Sequence, residues 1–410
     1  MSVIQSAVSD NTVIQGLTDD DARTTSQRDV MFVISALGIG GSERKIVRIA
    51  TALAASGTRV SMCVLGRPYT LLPHLQDHIP VTTLDRTHRL SRRTMQQLAR
   101  QIRAQGPATV IAVDLFALLY AAMALRSSGS SARRVALINT TTFVRRRDRL
   151  FMLGYAPLLR GSDLLVFGST RQREQWTGAY RLGGTPACVI HNGVDLARFA
   201  PGIAARGATR DAFGFAPGEM VIGSVGRLAP EKNQVAIVRA AAQLRRSGAE
   251  VRVLLAGDGP MREEIVSEAG RLGIEERVTL AGEVTDVRPL LAAMDVFVLP
   301  STSVETFSNA ALEAMAMSLP VVLSDIGGAR EMVAEGTEGF IIPPGDDAAL
   351  RHALEQFSCD PARRQRMAAA ARARVEREFS FGRMVEAYRA LIAPAGDRDA
   401  TVAGGSLSSA

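Results

Sequence analysis

The feature that most constrains this chain is an alternation of short apolar runs with helical stretches, written twice along its length. Val30-Met31-Phe32-Val33-Ile34-Ser35 is an apolar, β-branched run, and it leads into Gly38-Ile39-Gly40-Gly41-Ser42. A helical pattern follows, with Ile46, Ile49, Ala50 and Leu53 on one face and Gly57 after it. Val60 to Leu65 is the next run. From residue 220 the order recurs: Met220–Val225, a loop from Gly226 to Asn233, a helix from Val235 to Leu244, then Val251–Leu255 ended by Gly257-Asp258-Gly259-Pro260. Runs apolar throughout are strands buried on both faces. Strands alternating with helices imply a parallel sheet with helices on either side.

Further strands are predicted at Thr109–Val113, Val135–Asn139, Leu164–Phe167 and Ala187–Ile190, and later at Val278–Ala281, Val296–Leu299, Pro320–Leu323 and Phe340–Ile342. The expectation is an α/β chain of two Rossmann-like, doubly wound domains facing a central cleft, because ligands of open parallel sheets sit beyond the strands' carboxyl ends. The boundaries read as a disordered tail at 1–29, a first domain at 30–198, and a second at 199–378 entered through a linker from Phe199 to Gly218. A C-terminal helix at 379–392, able to cross back to the first domain, and a disordered tail at 393–410 complete the chain.

Composition narrows the function. The chain has 410 residues, 47% hydrophobic and 22% charged, which excludes a disordered or fibrous protein. Aromatics are 5%, with Trp176 the sole tryptophan, so stacking on nucleic-acid bases is poorly served and no nucleic-acid partner is expected. The net charge of +7 is uneven: residues 30–200 hold 23 basic and 8 acidic groups, while residues 201–410 hold 23 and 28. Of the 48 basic residues only Lys45 and Lys232 are lysines. The first residues lack the pattern of a secretory signal, and the longest apolar run, Leu115 to Leu125, is too short to span a membrane. Cys63, Cys188 and Cys359 are scattered without metal-ligand spacing. A reduced, cytoplasmic location follows as the expectation.

Three constellations carry chemistry. Gly226-Arg227-Leu228-Ala229-Pro230-Glu231-Lys232-Asn233 lies between a strand and a helix start, where unpaired N–H groups favour phosphate. Arg227 offers a guanidinium fork and Lys232 a point charge. Glu305-Thr306-Phe307-Ser308-Asn309-Ala310-Ala311-Leu312-Glu313 sets two carboxylates eight positions apart, the first in a loop and the second in a helix beginning near Ser308 or Asn309. Glu305 can accept from a polyol's hydroxyls, the N–H groups of Phe307 to Asn309 face the same ligand, and Glu313, in an apolar helix, needs a partner. The third is Gly38–Glu43, whose glycines allow close backbone approach. Lys45, inside the following helix, reads as a solvated charge, and His191 as loop structure.

These motifs in this order, together with Val189-Ile190-His191-Asn192-Gly193-Val194-Asp195, resemble the retaining glycosyltransferases of family 4, which have the GT-B fold. The resemblance covers nearly all of the ordered chain, and Glu305 with Glu313 matches the family's E-x7-E motif. It implies a UDP- or GDP-sugar donor held mainly by the second domain. Arg227 and Lys232 would take the diphosphate, Glu313 the ribose hydroxyls and Glu305 the sugar. The backbone near Glu283 and Val284 would meet the base, with Gly40 and Gly41 closing from the first domain. Glu305, Arg227 and Lys232 are then the catalytic candidates. Fixed cations supply the charge, so neither a metal nor another cofactor is expected. The Asp-x-Asp pattern of metal-dependent transferases occurs only within Asp19–Asp21 and at Asp397/Asp399, in the tails.

One position departs from the family. Many members carry a histidine after the strand equivalent to Thr109–Val113, where this chain has Asp114. Asp114 either takes over part of that role or caps the next helix. The acceptor side is the basic half. The run Arg145-Arg146-Arg147-Asp148-Arg149 precedes an apolar stretch, and Met95, Leu98 and Ile102 are flanked by Arg92, Arg93, Arg100 and Arg103. Together they favour peripheral docking on the anionic inner face of the cytoplasmic membrane, with a saccharide or lipid-linked acceptor for cell-surface polysaccharide. The alternatives are a nucleotide-sugar epimerase of the same fold or a binding scaffold with impaired catalysis.

Overall fold

The computed structural model describes residues 29–38, 40–139, 146–202 and 206–393. The tails 1–28 and 394–410, with both Asp-x-Asp patterns, lie outside the described residues, as do Ile39 and Arg145.

The first half runs β1 (Asp29–Ile34), α1 (Gly41–Ala55), β2 (Arg59–Val64), α2 (Pro73–Gln76), β3 (Val81–Thr83), α3 (Arg92–Gln105), β4 (Thr109–Ala112), α4 (Leu115–Ser128), β5 (Arg133–Ile138), α5 (Arg146–Arg160), β6 (Leu164–Phe167), α6 (Thr170–Tyr180) and β7 (Ala187–Val189). The second runs α7 (Arg206–Ala212), β8 (Met220–Val225), α8 (Gln234–Arg246), β9 (Val251–Ala256), α9 (Arg262–Arg271), β10 (Val278–Gly282), α10 (Arg288–Ala293), β11 (Val296–Leu299), α11 (Asn309–Ala316), β12 (Val321–Ser324), α12 (Ala329–Met332), β13 (Gly339–Ile342), α13 (Asp347–Cys359), α14 (Pro361–Glu378) and α15 (Phe381–Ile392). Among the described residues these strands make two parallel sheets, ordered β3-β2-β1-β4-β5-β6-β7 and β10-β9-β8-β11-β12-β13.

In each sheet the strand order therefore reverses at the first strand, where β1 lies parallel beside β4 and β8 parallel beside β11. That crevice is where doubly wound folds bind ligands. The glycine loop follows β1, Gly226–Asn233 follows β8, and the Glu305 loop follows β11. All three constellations thus sit at switch points.

The sequence patterns translate directly into packing. Met31, Phe32 and Val33 are fully buried, and Phe32 packs with Ile46, Ile49 and Leu53 of α1 while Met31 and Val33 face Leu98 and Ile102 of α3. α3 lies along α4 with Leu98, Ala99 and Ile102 buried, so its apolar stripe is spent on the core and is closed to a membrane. The arginines around it form the solvated rim of an ordinary core helix. Leu115 to Leu125 is α4, also core.

The stretch 199–218 is not a featureless linker. It contains α7, from which Arg206 and the buried Arg210 converge on Asp295, just ahead of β11. Arg210 also donates to the carbonyls of Ala293, Ala216 and Glu219. Proline and glycine at the ends masked this anchor. After α14 the chain returns: α15 packs on α1, burying Met384, Val385 and Tyr388 in the first domain's core, and Arg133 donates to the carbonyl of Leu391 at 2.7 Å.

Candidate active site

The loop after β8 is shaped by glycine crossings. Gly226 and Gly257 both have positive φ, and a Cβ on Gly257 would lie 2.1 Å from the Gly226 carbonyl oxygen, so the two loop backbones touch. Gln234 Nε2 donates to the Arg227 carbonyl at 2.9 Å and fixes the turn that presents Arg227. The Arg227 side chain is exposed at the rim. Lys232 turns inward and donates to Glu305 Oε2, forming a half-buried ion pair between the loops after β8 and β11. Thr302 N donates to the Glu231 carbonyl at 2.8 Å and clamps the same loops.

Ser308 caps α11, its Oγ accepting from Ala311 N at 3.3 Å, so the helix starts where the pattern predicted. Glu313 lies in the second turn, between buried Leu312 and Ala314. Burial pushes its pKa up to about 7, against the pull of Arg198, Arg48 and Arg44. Phe307 is buried, stacked on His191 at 4.6 Å and edge-on to Phe379.

A cavity of about 700 Å³ opens between the two sheets' switch points. Gly40, Gly41, Arg227, Glu283, Val284, Asn309 and Glu313 of the expected site lie on its wall. Gly41 comes close to Asn309, whose Nδ2 is 3.5 Å from where a Cβ would stand. Lys232, Glu305, Thr306, Phe307 and Ser308 are not on that wall: Glu305 is engaged by Lys232, Phe307 is turned to the core, Ser308 caps α11, and Thr306 is half-buried beside Gly168 of the first domain. Arg146, Arg147 and Arg149 fall in the first turn of α5, and their side chains lie outside what the structure describes.

Asp114 takes the structural one of its two readings. Oδ1 accepts from Ala117 N at 2.8 Å and from Ser35 Oγ at 2.6 Å, and Oδ2 accepts from Ser35 N at 3.0 Å. It caps α4, ties β4 to β1, and is absent from the cavity wall.

Lys45 overturns its expected place. It is on the cavity wall, and its ammonium donates to Asn139 Oδ1 at 3.2 Å and Asn192 Oδ1 at 3.1 Å. Burial lowers its pKa to about 8. The sequence held a signal for this: Lys45 precedes buried Ile49 and Leu53 by four and eight residues, which puts it on their face. Glu331 was not singled out at all. Its carboxylate, on α12, accepts from Thr170 N and Arg171 N at the start of α6 and from His191 Nε2 at 2.8 Å, joining the domains. His191 is accordingly a structural loop residue.

Comparison with known proteins now decides the family. Residues 39–198 match Glycosyltransferase Family 4, and residues 206–374 match Glycosyl transferases group 1. The chain belongs to glycosyltransferase family 4. This family 4 chain is 30% identical over 244 residues to the alpha-D-kanosaminyltransferase of Streptomyces kanamyceticus, covering 58% of itself and 62% of that protein. It is 34% identical over 224 residues to the D-inositol 3-phosphate glycosyltransferase of Nocardia farcinica, covering 52% and 49%. The matches thus span about half to three fifths of those relatives' length. Its GT-B fold is shared with Anabaena HepE, solved in complex with UDP, at a TM-score of 0.78 and 22% identity over 89% of this chain and 99% of that one. A further structure of HepE was solved with UDP-glucose. No helix among the described residues of this family 4 chain is long and apolar enough to cross a membrane, and no described cluster of three or more His, Cys, Asp or Glu is arranged to hold a metal.

Proposed function

We propose that this protein is a retaining, metal-independent hexosyl-type transferase that moves a sugar from a nucleoside-diphosphate sugar to a saccharide or lipid-linked acceptor in cell-surface polysaccharide synthesis. The observation that carries the reading is the convergence of Gly40, Gly41, Arg227, Asn309 and Glu313 on one cavity at both switch points. UDP is the favoured nucleotide, since HepE of the same fold was solved with UDP and with UDP-glucose.

The donor's diphosphate lies between Arg227 and Lys232, and its arrival draws the Lys232 ammonium from Glu305. Glu305 is thereby released to accept from the sugar's hydroxyls. Glu313, ionised in the complex, accepts from the ribose hydroxyls. As the sugar leaves, charge builds on the β-phosphate oxygen, where fixed cations and helix-start amides stabilise it. The acceptor attacks from the leaving-group face, and a phosphate oxygen takes its proton, so configuration is retained. The acceptor enters from the basic first domain. Leu90, 70% exposed between arginines 89, 92 and 93, supports peripheral contact with an anionic membrane.

The test is Lys232→Ala, assayed by UDP release from UDP-glucose with a saccharide acceptor. Removing a donor of this kind costs on the order of 10²–10³ in rate. Turnover equal to that of the parent would overturn the assignment, and donor consumption without any acceptor would point to an epimerase.

A further inference from the structure

The chain uses arginine for 46 of its 48 basic residues, and its two lysines fall one in each domain, Lys45 on the cavity wall and Lys232 off it, in the loop after β8. Lys232 has a partner of opposite charge. Lys45 has none among the described residues: its two hydrogen-bond acceptors are amide oxygens.

The amides are themselves fixed. Asn139 Nδ2 donates to the Val113 carbonyl at 2.7 Å, at the end of β4 and one residue before Asp114. Asn192 Nδ2 donates to the Phe307 carbonyl at 2.6 Å, in the loop that enters α11. Lys45 is therefore held one amide away from the end of β4 and one amide away from the loop that enters α11. Asp114, next after Val113, caps α4 and holds Ser35, and it is off the cavity wall. An ammonium has three N–H groups, and the amides use two. Burying such a cation against neutral groups alone is unfavourable unless an anion completes its surroundings.

On the nucleotide-sugar reading above, we infer that Lys45 is the first domain's charged contact with the donor's phosphates, aimed by Asn139 and Asn192. A compact ammonium suits a slot between two amide oxygens, which a planar guanidinium does not fill in the same way. Charged groups also face the cleft from α1 (Arg44, Arg48), from the loop after β7 (Arg198), from the loops after β8, β9 and β10 (Arg227, Asp258, Glu283) and from α11 (Glu313), and none of them offsets the burial of Lys45. Phosphate binding then restores the charged form, so nucleotide binding takes up protons near pH 8.

The experiment is calorimetric titration of the full chain with UDP, and separately with GDP, from pH 7 to 9 in two buffers of different ionisation enthalpy. The parent should take up protons near pH 8 and lose about tenfold in affinity between pH 7 and 9, as a group with a pKa of about 8 requires. Lys45→Met should bind at least tenfold more weakly at pH 7, with no uptake. Lys45→Arg keeps the charge and should bind without the fall toward pH 9. A Met variant with the parent's affinity and uptake overturns the inference. If the Met variant does not fold, an Arg variant with the parent's fall toward pH 9 overturns it equally. Should the parent bind neither nucleotide, the nucleotide-sugar reading fails as well; binding indifferent to Lys45 sinks this inference alone.

Discussion

Glu313→Gln should stabilise the empty protein while weakening its grip on the donor. The carboxyl pKa is raised by burial from 4.5 to about 7. A group whose folded pKa lies above its unfolded value ionises more readily when the chain unfolds. The resulting destabilisation is absent below about pH 4.5, grows between pH 4.5 and 7, and is complete above pH 7. At 1.36 kcal/mol per pKa unit it amounts to roughly 3 kcal/mol. Glutamine keeps the shape and removes the buried charge, so most of that cost should disappear at pH 8. For a domain of this size, each kcal/mol is worth roughly 2–4 °C in Tm, which scanning calorimetry resolves.

The donor should report the opposite sign. If Glu313 binds the ribose hydroxyls as a carboxylate, protonation competes with binding, and a pKa of about 7 makes UDP-glucose bind about tenfold more weakly at pH 6 than at pH 8. Hydrogen bonds to a charged group contribute about 1.5–3 kcal/mol each, so the Gln variant should lose at least tenfold in affinity at pH 8 and show no further loss at pH 6. A Gln variant less stable than the parent at pH 8 would refute the burial argument. A parent whose affinity is flat between pH 6 and 8 would refute the ribose contact.

Three other perturbations test the frame around the site. Hydrogen bonds from His191, Thr170 N and Arg171 N hold the Glu331 pKa down to about 2 despite burial that would raise it, so its contribution is present above about pH 4.5 and lost as pH falls toward 2. Glu331→Gln should loosen the domains at neutral pH, seen as a larger radius of gyration by X-ray scattering, and should shrink the parent's acid-induced change below pH 4.5; an unchanged radius would deny the latch. Gly327 has φ +54°, and a Cβ there would stand 2.0 Å from the Glu305 carbonyl oxygen. Gly327→Ala should cut turnover at least tenfold by displacing that loop while circular dichroism stays native; parental turnover would count against the loop's role. Arg210→Met leaves Asp295 without its buried partner and should cost about 3–5 kcal/mol in denaturant unfolding, and a loss under 1 kcal/mol would mean that Arg206 suffices.

The sheets were legible because their strands are apolar throughout, a pattern that survives without any partner in view. β3 was not, since Val81-Thr82-Thr83 is short, half-buried and at a sheet edge. The loops after β8 and β11 could be read because each packs its chemistry into a contiguous stretch. What escaped depends on distant residues. Glu331 meets Thr170 and Arg171 across 161 and 160 positions, and Lys45 meets Asn192 across 147. No local period encodes such pairs. Lys45 was misplaced for a further reason: a lysine on a helix is ordinarily solvated, although the face it shares with Ile49 and Leu53 pointed the other way.

Burial acts on the two walls of the cavity in complementary ways. It raises the carboxylate of Glu313 to about 7 and lowers the amine of Lys45 to about 8, so each is pushed toward its neutral form while the site is empty. Both are mainly charged only between those values. On the proposed donor reading, a nucleoside diphosphate would bring hydroxyls to the first and phosphate oxygens to the second, and so recharge both at once. Donor affinity should then be highest near pH 7.5, with a macroscopic acid limb and alkaline limb that belong to the pair of walls. The acid limb disappears with Glu313 and the alkaline limb with Lys45. On that reading, the desolvation that destabilises the empty cleft would also make it selective for a ligand carrying both functions.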